Sequence, residues 1–323
     1  MLGAYKVWRL GFALSKCGVG ATNIMAAKGD ITKSLSKMLR HIPLFKEAQI
    51  RVIGSAEAGL CGPKSDMDFL IRMKENGIIS AMEVVVWELQ GQETDFRLEY
   101  CIKKAKVPVI RVRHRGSAIA CDLTFDCPAM RRDDAIKNTH LLKLYGKNNT
   151  FRKIYMFIKF ILGDHKIFSR KLGGLSSYAH AILLIYFLVN KTGCAFIDPH
   201  TFQITQQKER GMSLPEKLIR YFVFIRDELQ VTEIDITKLH KNRIRTEVFQ
   251  IKDPYIKKNH AKGLSSRNLQ TFRALAGEWI HYFQTPNSKL LLAYIKMQIP
   301  IINNASMDQE NDRETGVGFI EIG

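Results

Sequence analysis

The chain lacks the features that mark membrane-spanning and zinc-finger proteins. No apolar run reaches the ~18 residues needed to cross a bilayer, and the longest, 179–189, is typical of a buried helix. The cysteines show no C-x-x-C pair and no histidine partner at finger spacing, which argues against a zinc module. Several lie within apolar patterns, so they are predicted to be core thiols in a reducing compartment. The six are Cys17, Cys61, Cys101, Cys121, Cys127 and Cys194.

Acidic residues are scarce. The 323 residues include 31 Asp and Glu against 49 Lys and Arg, which gives a formal net charge of +18. Such a balance favours a polyanionic partner such as RNA, and because the charge is spread along the chain it is expected to follow a backbone rather than read bases. Residues 1–29 contain no acidic residue at all. This segment is predicted to be either a basic amphipathic helix or a mitochondrial transit peptide.

Two carboxylates, two residues apart, follow a strand and a Gly-Ser turn. Residues 52–53 are predicted as a buried strand, and Gly54 and Ser55 as the turn after it, where N–H groups and a hydroxyl can cradle phosphates. Asp66 and Asp68 leave one face of the next strand, where they repel each other unless a cation lies between them. Hard oxygen ligands favour Mg²⁺ or Mn²⁺. Either motif alone is more often an ordinary turn or strand end; together they indicate metal-dependent nucleotidyl transfer.

A third carboxylate is predicted on a neighbouring strand. In residues 117–126 apolar side chains alternate with polar ones, so Asp122 and Asp126 share the polar face. Asp122 lies mid-strand and is the ligand candidate, whereas Asp126 precedes a Cys-Pro pair and is predicted to end the strand. An ordinary solvated strand face would be the default interpretation without Asp66 and Asp68.

Four motifs occur in order within residues 33–290: Gly54-Ser55 with Ser65-Asp66-x-Asp68, the Asp122 strand, Lys137-Asn-Thr-His-Leu-Leu142, and Gly174-Leu-Ser-Ser-Tyr-Ala179. Together they resemble the terminal uridylyltransferases and cytoplasmic-type poly(A) polymerases of the DNA polymerase β-like nucleotidyltransferase superfamily. The resemblance implies that Asp66, Asp68 and Asp122 are the catalytic, metal-binding residues. It also implies an α+β fold, in which a catalytic domain with a mixed sheet precedes a mostly helical domain of the poly(A)-polymerase and oligoadenylate-synthetase type. The nucleotide is then expected in a cleft between them.

The resemblance and the turn signals divide the chain into four predicted parts. These are an N-terminal helix at 1–32 that packs on the second domain, a catalytic domain at 33–132, a helical nucleotide-binding domain at 133–300 and a tail at 301–323. Hydrophobic periodicity predicts the elements within them. Helices are expected at 31–44, 78–89, 136–145, 151–162, 176–189, 214–228 and 267–283, and strands at 96–102 and 107–112.

The resemblance also assigns nucleotide contacts. Gly54, Ser55 and Ser65 of the first motif are predicted to bind the nucleotide. Asn138 and Thr139 match ribose and base contacts, and their ordinary alternative is a polar pair on a helix surface.

In the helical domain, Lys159 matches a lysine that grips the triphosphate, and its ordinary alternative is a snorkelling lysine. Ser177 and Tyr178 match a phosphate-binding hydroxyl and a ring that stacks on the base, where a helix cap and a core tyrosine are the ordinary alternatives. The family's second lysine is here Gly163, and His165 or Lys166 is a candidate substitute.

Base choice is predicted from residues 251–264, which resemble the family's nucleotide-recognition loop. Asn259, with Ala and Lys two and three residues later, fits the poly(A) polymerase pattern and predicts ATP and transfer of AMP. His260 keeps UTP open, because a one-residue shift restores the histidine typical of uridylyltransferases. A third hypothesis is a catalytically silent RNA-binding adaptor, which is motivated by Gly163 and by Ala58-Gly-Leu60 in place of Asn-Gly-Phe.

The expected partners follow from the resemblance. They are an RNA 3′ end, ATP or alternatively UTP, Mg²⁺ or Mn²⁺, and an RNA-binding protein that supplies specificity, because no RNA-recognition domain or zinc finger is recognisable in the sequence. No membrane association is predicted. The cytoplasm is the predicted location, with the mitochondrion and the nucleus as alternatives.

Overall fold

The computed structural model describes residues 22–62, 65–91, 94–163, 165, 167, 169–205, 211–229, 233–238 and 249–285. Residues 1–21 and the predicted tail at 301–323 lie outside this set. The chain divides into two compact units, whose main segments are residues 20–143 and 144–303. We call them the sheet unit and the helical unit. The sequence predicted the domain boundary between residues 132 and 133. The observed division lies between residues 143 and 144, near the end of a helix that begins at Asp133.

The sheet unit contains five strands in the order β1-β2-β5-β4-β3. The β2–β5 pair is parallel and the other three pairs are antiparallel, so the predicted mixed sheet is confirmed. The strands are β1 (Gln49–Ile53), β2 (Met67–Arg72), β3 (Phe96–Ile102), β4 (Val109–His114) and β5 (Ala120–Asp126).

Alternation of side chains along the strands gives the sheet one apolar face. On β4, Ile110 and Val112 are fully buried, whereas the arginines between and after them are partly exposed. Two helices contribute to the core with these strands, α1 (Thr22–Arg40) and α2 (Ile78–Gln90). The opposite face is left to polar residues.

Helix α1 differs from the sequence prediction. The predicted helix began at residue 31, and residues 1–32 were assigned to a helix on the second domain. Within the described residues, α1 spans Thr22–Arg40, so residues 22–32 belong to the sheet unit, where Ile24 and Ile31 join the core. Gly29 lies within this helix, is exposed, and a Cβ atom on it would meet nothing within 4 Å, so the helix continues through it at a cost of about 1 kcal/mol.

The helical unit is built on helices whose predicted positions are confirmed within a few residues. They are α4 (Asn149–Leu162), α5 (Ser177–Phe187), α6 (Leu214–Glu228) and α7 (Ser266–Gln284), preceded by α3 (Asp133–Gly146), which spans the division. The helices α4 to α7 each begin with a side-chain cap, from Asn148, Ser176, Ser213 and Ser265.

Aromatic packing forms the core of this unit. Every residue from 179 to 187 of α5 is buried, and Phe187 contacts the rings of Tyr221 and Phe224 on α6. Two small sheets add to the helices: β6 (Phe196–Ile197) pairs with β7 (Ile204–Thr205), and β8 (Glu233–Ile234) with β9 (Gln250–Ile251). Among the described residues, no helix is long and apolar enough to traverse a bilayer.

Candidate active site

Strand register brings the predicted carboxylates to one place on the sheet. Asp68 of β2 lies directly opposite Asp122 of β5 in the parallel pair, and Asp66 immediately precedes β2. The residues between and beside them, Met67 and Phe69, are fully buried on the other face. Asp66, Asp68 and Asp122 are all partly exposed. The three side chains therefore belong to the polar face and are accessible to solvent.

Gly54 brings the end of β1 against the carboxylates. Its φ is +70°, and a Cβ atom on it would lie 2.8 Å from Oδ2 of Asp68, so both the backbone conformation and the space require glycine. Residues Gly54–Glu57 then form a single helical turn. The Gly54 N–H donates to Oγ1 of Thr139 at 2.9 Å, and that hydroxyl donates to the Ala135 carbonyl at 2.7 Å.

Three of the predicted site residues make contacts within the protein at this turn. The Gly54 N–H, which is predicted to belong to a phosphate cradle, donates to Thr139. Thr139 is 6% exposed and holds the turn in place, and its ribose or base contact stays a prediction. The Ser65 hydroxyl accepts from the Gly62 N–H at 2.8 Å and closes its own turn. Ser55 and Asn138 are both partly exposed, near the start of the turn and on α3 respectively.

Arg111 lies among the carboxylates, and sequence reasoning missed it. Its Nη1 donates to Oδ2 of Asp66 and to Oδ1 of Asp122, both at 2.9 Å, and its Nη2 reaches Oδ1 of Asp66 at 2.8 Å. Arg111 and Asp122 are cross-strand partners in the antiparallel β4–β5 pair. Burial alone lowers the pKa of the guanidinium, but the hydrogen bond to Asp66 and the charges of Asp122 and Asp66 raise the pKa well above its ordinary value.

A bulge in β3 supplies a further anion to this arginine. The β3–β4 register shifts between Leu98 and Tyr100, which directs Glu99 toward β4. Oε2 of Glu99 lies 3.2 Å from Nε of Arg111, and its other oxygen accepts from Arg113. The Arg111 guanidinium carbon also lies 6.0 Å from the centre of the Tyr100 ring. Arg111 is thus held from the β3 side as well as by the carboxylates.

The donor set suits a hard divalent cation by its chemistry, because it offers carboxylate oxygens that are partly open to solvent. Within the described ranges, however, no three His, Cys, Asp or Glu side chains converge as a group that could hold a metal ion. Arg111 gives the physical reason, since it lies between Asp66 and Asp122. The neighbouring Cys121 is no substitute ligand: burial, with the charges of Asp122 and Asp66, raises the pKa of its thiol to about 12.

Asp126 is a structural residue, as its predicted place at the strand end suggests. It is fully buried at the last position of β5, and its Oδ2 accepts from Nε and Nη2 of Arg72 at 2.9 and 2.7 Å. The Arg72 guanidinium also reaches Asp133 at the start of α3. This pairing ties β2, β5 and α3 together.

In the helical unit, two of the predicted phosphate-binding residues contact the same tyrosine. Nζ of Lys159 lies 5.7 Å from the centre of the Tyr155 ring, and the Tyr155 hydroxyl donates to the Ser177 carbonyl at 2.9 Å. Ser177 is not the helix cap that was its ordinary alternative. Ser176 caps α5 by accepting from the Ala179 N–H, and Ser177 lies exposed in the first turn.

Gly163 ends α4 at the position where the family usually has a second lysine. A Cβ there would lie 2.4 Å from the Lys159 carbonyl oxygen, so a side chain requires the backbone to shift. Of the candidate substitutes, His165 is exposed, and Lys166 falls outside the described residues.

The predicted base-recognition loop places His260 beside Tyr178. The His260 and Tyr178 rings meet edge to face with centres 5.1 Å apart, and Nε2 of His260 lies 2.8 Å from Oδ2 of Asp253. The Asn259 side-chain oxygen instead accepts from the Ile251 and Ala261 N–H groups. Asn259 therefore shapes the loop.

Asp253 fixes the orientation of the His260 ring. Burial raises the pKa of Asp253, but hydrogen bonds from His260 and from the Tyr255 N–H outweigh burial, so the net shift is downward. The ionised carboxylate only accepts hydrogen bonds, so Nε2 of His260 is the donor.

Residues 21–147 match the family model described as the central palm domain of mitochondrial-like poly(A) RNA polymerase. The terminal uridylyltransferase cid1 of Schizosaccharomyces pombe is 26% identical over 153 residues, which are 45% of this chain and 35% of that protein. The poly(A) RNA polymerase GLD2 of Danio rerio is 27% identical over 150 residues, which are 45% of this chain and 30% of that protein. The matches thus span about a third of these curated relatives.

Solved structures agree over more of the chain. A structure of the Cid1 poly(U) polymerase with MgGTP bound matches with a TM-score of 0.69 and 18% identity, covering 85% of this chain and 93% of that one. A cytoplasmic RNA terminal U-transferase matches with a TM-score of 0.68, 19% identity and coverage of 85% and 92%. This likeness shows that the chain shares the fold of these structures, and the family model together with the curated relatives confirms the predicted resemblance.

Proposed function

We propose that this chain is a template-independent RNA 3′-terminal nucleotidyltransferase, because residues 21–147 match the central palm domain of mitochondrial-like poly(A) RNA polymerase. One observation carries the proposal: the parallel β2–β5 register sets Asp68 directly beside Asp122, and Asp66 immediately precedes β2 on the same polar face. Curated relatives are named as a terminal uridylyltransferase and a poly(A) RNA polymerase.

Asp66, Asp68 and Asp122 would hold the Mg²⁺ or Mn²⁺ ions of a two-metal reaction. When bound, such ions lower the pKa of an attacking hydroxyl and stabilise the attacking and leaving oxygens of an in-line displacement. The carboxylates would orient the RNA 3′-hydroxyl toward the α-phosphate, and Gly54 keeps the turn close to Asp68 without a steric clash. Lys159 and Ser177 would bind the triphosphate, and the attack needs no side-chain nucleophile.

The first candidate substrate is ATP, on the sequence pattern of Asn259, Ala261 and Lys262. A specific observation favours UTP as the second candidate: His260 contacts the ring of Tyr178, on which the base would stack, whereas the Asn259 oxygen is bound by backbone N–H groups. Tyr178 itself would accept either base, because every base has a π face.

The proposed partners are an RNA 3′ end and a protein that brings the RNA. Structures of Cid1 with its short product ApU and with the UTP analogue UMPNPP support the first of these. The net charge of +18 is consistent with binding to an RNA backbone. The cytoplasm is the proposed location, and a structural relative is described as cytoplasmic.

The test is extension of a generic RNA by the purified full chain, with Mg²⁺ or Mn²⁺ and each ribonucleotide offered separately. Addition of AMP supports the first candidate and addition of UMP the second. Asp68→Ala should abolish tailing and leave the circular dichroism spectrum unchanged, whereas Asp95→Ala, an exposed aspartate of the same unit, should retain tailing. Full tailing by the Asp68 variant would remove the assignment, and inactivity of the wild type with every nucleotide would favour the silent adaptor.

A further inference from the structure

Arg111 binds the same oxygen atoms that a divalent ion would use. It contacts both oxygens of Asp66 and Oδ1 of Asp122 at 2.8 to 2.9 Å. A guanidinium offers only donors and keeps its charge at every accessible pH. A metal ion also requires these oxygens as ligands. These oxygens cannot bind Arg111 and a metal ion fully at the same time, so the two cations compete for them.

The β3 side offers Arg111 a second set of partners. Glu99 lies 3.2 Å from Nε, and the Tyr100 ring lies beneath the guanidinium carbon at 6.0 Å. The Nη groups contact the aspartates while Nε contacts Glu99, so the guanidinium can turn away from the aspartates and still face an anion. Displacement by a metal ion therefore does not leave a partly buried charge without a counter-ion.

We propose that Arg111 is an internal counter-cation that competes with the divalent ion for Asp66 and Asp122, and so sets the metal affinity of the site. The inference rests on the proposed role of the carboxylates. Arg111 reduces the repulsion between Asp66 and Asp122, and metal binding includes the work of moving it toward Glu99. It is a positioning residue, because it acts on the reaction through the aspartates.

The test measures Mn²⁺ binding by isothermal titration calorimetry in the absence of RNA and nucleotide. Arg111→Gln removes the competing charge, and its dissociation constant for Mn²⁺ should fall roughly tenfold or more below that of the wild type. The variant should also have a lower melting temperature than the wild type in EDTA. Its melting temperature should rise more than that of the wild type when Mn²⁺ is added, because tighter binding to the folded state raises apparent stability.

Arg113→Gln is the matched control. It removes the same charge two residues along the same strand face, from an arginine that contacts Glu99 and the Ala118 carbonyl instead of the aspartates. Its Mn²⁺ affinity should rise far less than that of Arg111→Gln, because the contacts of Arg111 with the aspartates stay in place and only the competition for Glu99 is removed. An equal gain in both variants reduces the effect to net charge and overturns the proposal, as does an unchanged affinity in Arg111→Gln or no Mn²⁺ binding by any variant.

Arg111→Lys covers the case in which Arg111→Gln does not fold. Lysine keeps the charge but loses the planar fork that bridges two carboxylates, so Mn²⁺ affinity should still rise, by a smaller factor. An affinity equal to wild type in a folded Arg111→Lys protein overturns the proposal. The experiment distinguishes this inference from the proposed function. If Arg111→Gln binds Mn²⁺ more tightly but the wild type does not tail RNA, the inference holds and the proposed function fails. If the wild type tails RNA but Arg111→Gln has unchanged metal affinity, only the inference fails.

Discussion

The two units place their candidate functional residues by different physical means. In the sheet unit, backbone register aligns Tyr100, Arg111, Asp122 and Asp68 across four strands, and ionic contacts fix the side chains. In the helical unit, the candidates lie at helix ends and in a loop, on a body held by buried aromatic rings. The site in the sheet unit should be sensitive to sub-ångström shifts and to changes of charge. The helical unit should be sensitive to changes that make its buried side chains less stable in the core.

Gly54→Ala tests the steric precision of the sheet unit and should have the largest effect. The added methyl would lie 2.8 Å from Oδ2 of Asp68, so it must displace the carboxylate or the turn. We expect a loss of tailing rate of about 100-fold or more, because small misplacements of catalytic groups are costly. A single-turnover tailing assay measures this rate.

Gly59→Ala is the control for this prediction. Gly59 has nearly the same backbone conformation, with φ at +67°, but a Cβ there meets nothing within 4 Å. Both variants should lose about 1–2 kcal/mol of stability to the left-handed conformation, and Gly54→Ala alone should lose the activity. Equal losses of activity would show that backbone strain, rather than contact with Asp68, is responsible.

His180 tests the dependence of the helical unit on burial. It is fully buried against the Phe272 ring, and burial lowers its pKa from 6.5 to about 3, although the Ile167 carbonyl opposes the shift. Below pH 6.5 the unfolded chain therefore binds a proton that the folded chain does not, so the free energy of unfolding falls as pH falls. The loss should amount to about 2 kcal/mol between pH 8 and pH 5.

The measurement is urea unfolding followed by the fluorescence of Trp279, in a background in which Trp8 and Trp87 are replaced by Phe. His180→Phe should remove this part of the pH dependence, so the difference in stability between variant and parent should shift in favour of the variant as pH falls from 8 to 5. At pH 8 the histidine is neutral in both states, and the variant then reports only the cost of repacking. A difference that stays constant with pH would contradict the assigned cause.

Much of the fold was predictable because it follows from local periodicity. Strand 96–102 and helix 214–228 have the predicted bounds, since each carries a clear apolar pattern between turn signals. The polar face of β5 was also predictable, because side chains alternate along a strand. The part of α1 before residue 31 was not, because it includes Gly29, a residue of low helix propensity.

The candidate site was predictable in its carboxylates but not in its neighbours. Arg111 was missed because its partner is set by the register of the β4–β5 hairpin, a long-range property that no local motif states. A signal existed: alternation puts Arg111 on the polar face of β4, and a hairpin turning near residues 115–118 brings it opposite Asp122. Ser176, rather than Ser177, caps α5 for a similar reason, because adjacent serines are equivalent until the backbone is known.

Thr139→Val distinguishes a positioning residue from a nucleotide contact, with the smallest expected effect. Valine keeps the shape but removes the acceptor of the Gly54 N–H, so the protein should lose about 1–2 kcal/mol of stability and the tailing rate should fall severalfold with the nucleotide KM unchanged. Thr139→Ser, which keeps the hydroxyl, should restore the rate. A raised KM at normal stability would return Thr139 to the ribose and base contacts implied by the resemblance.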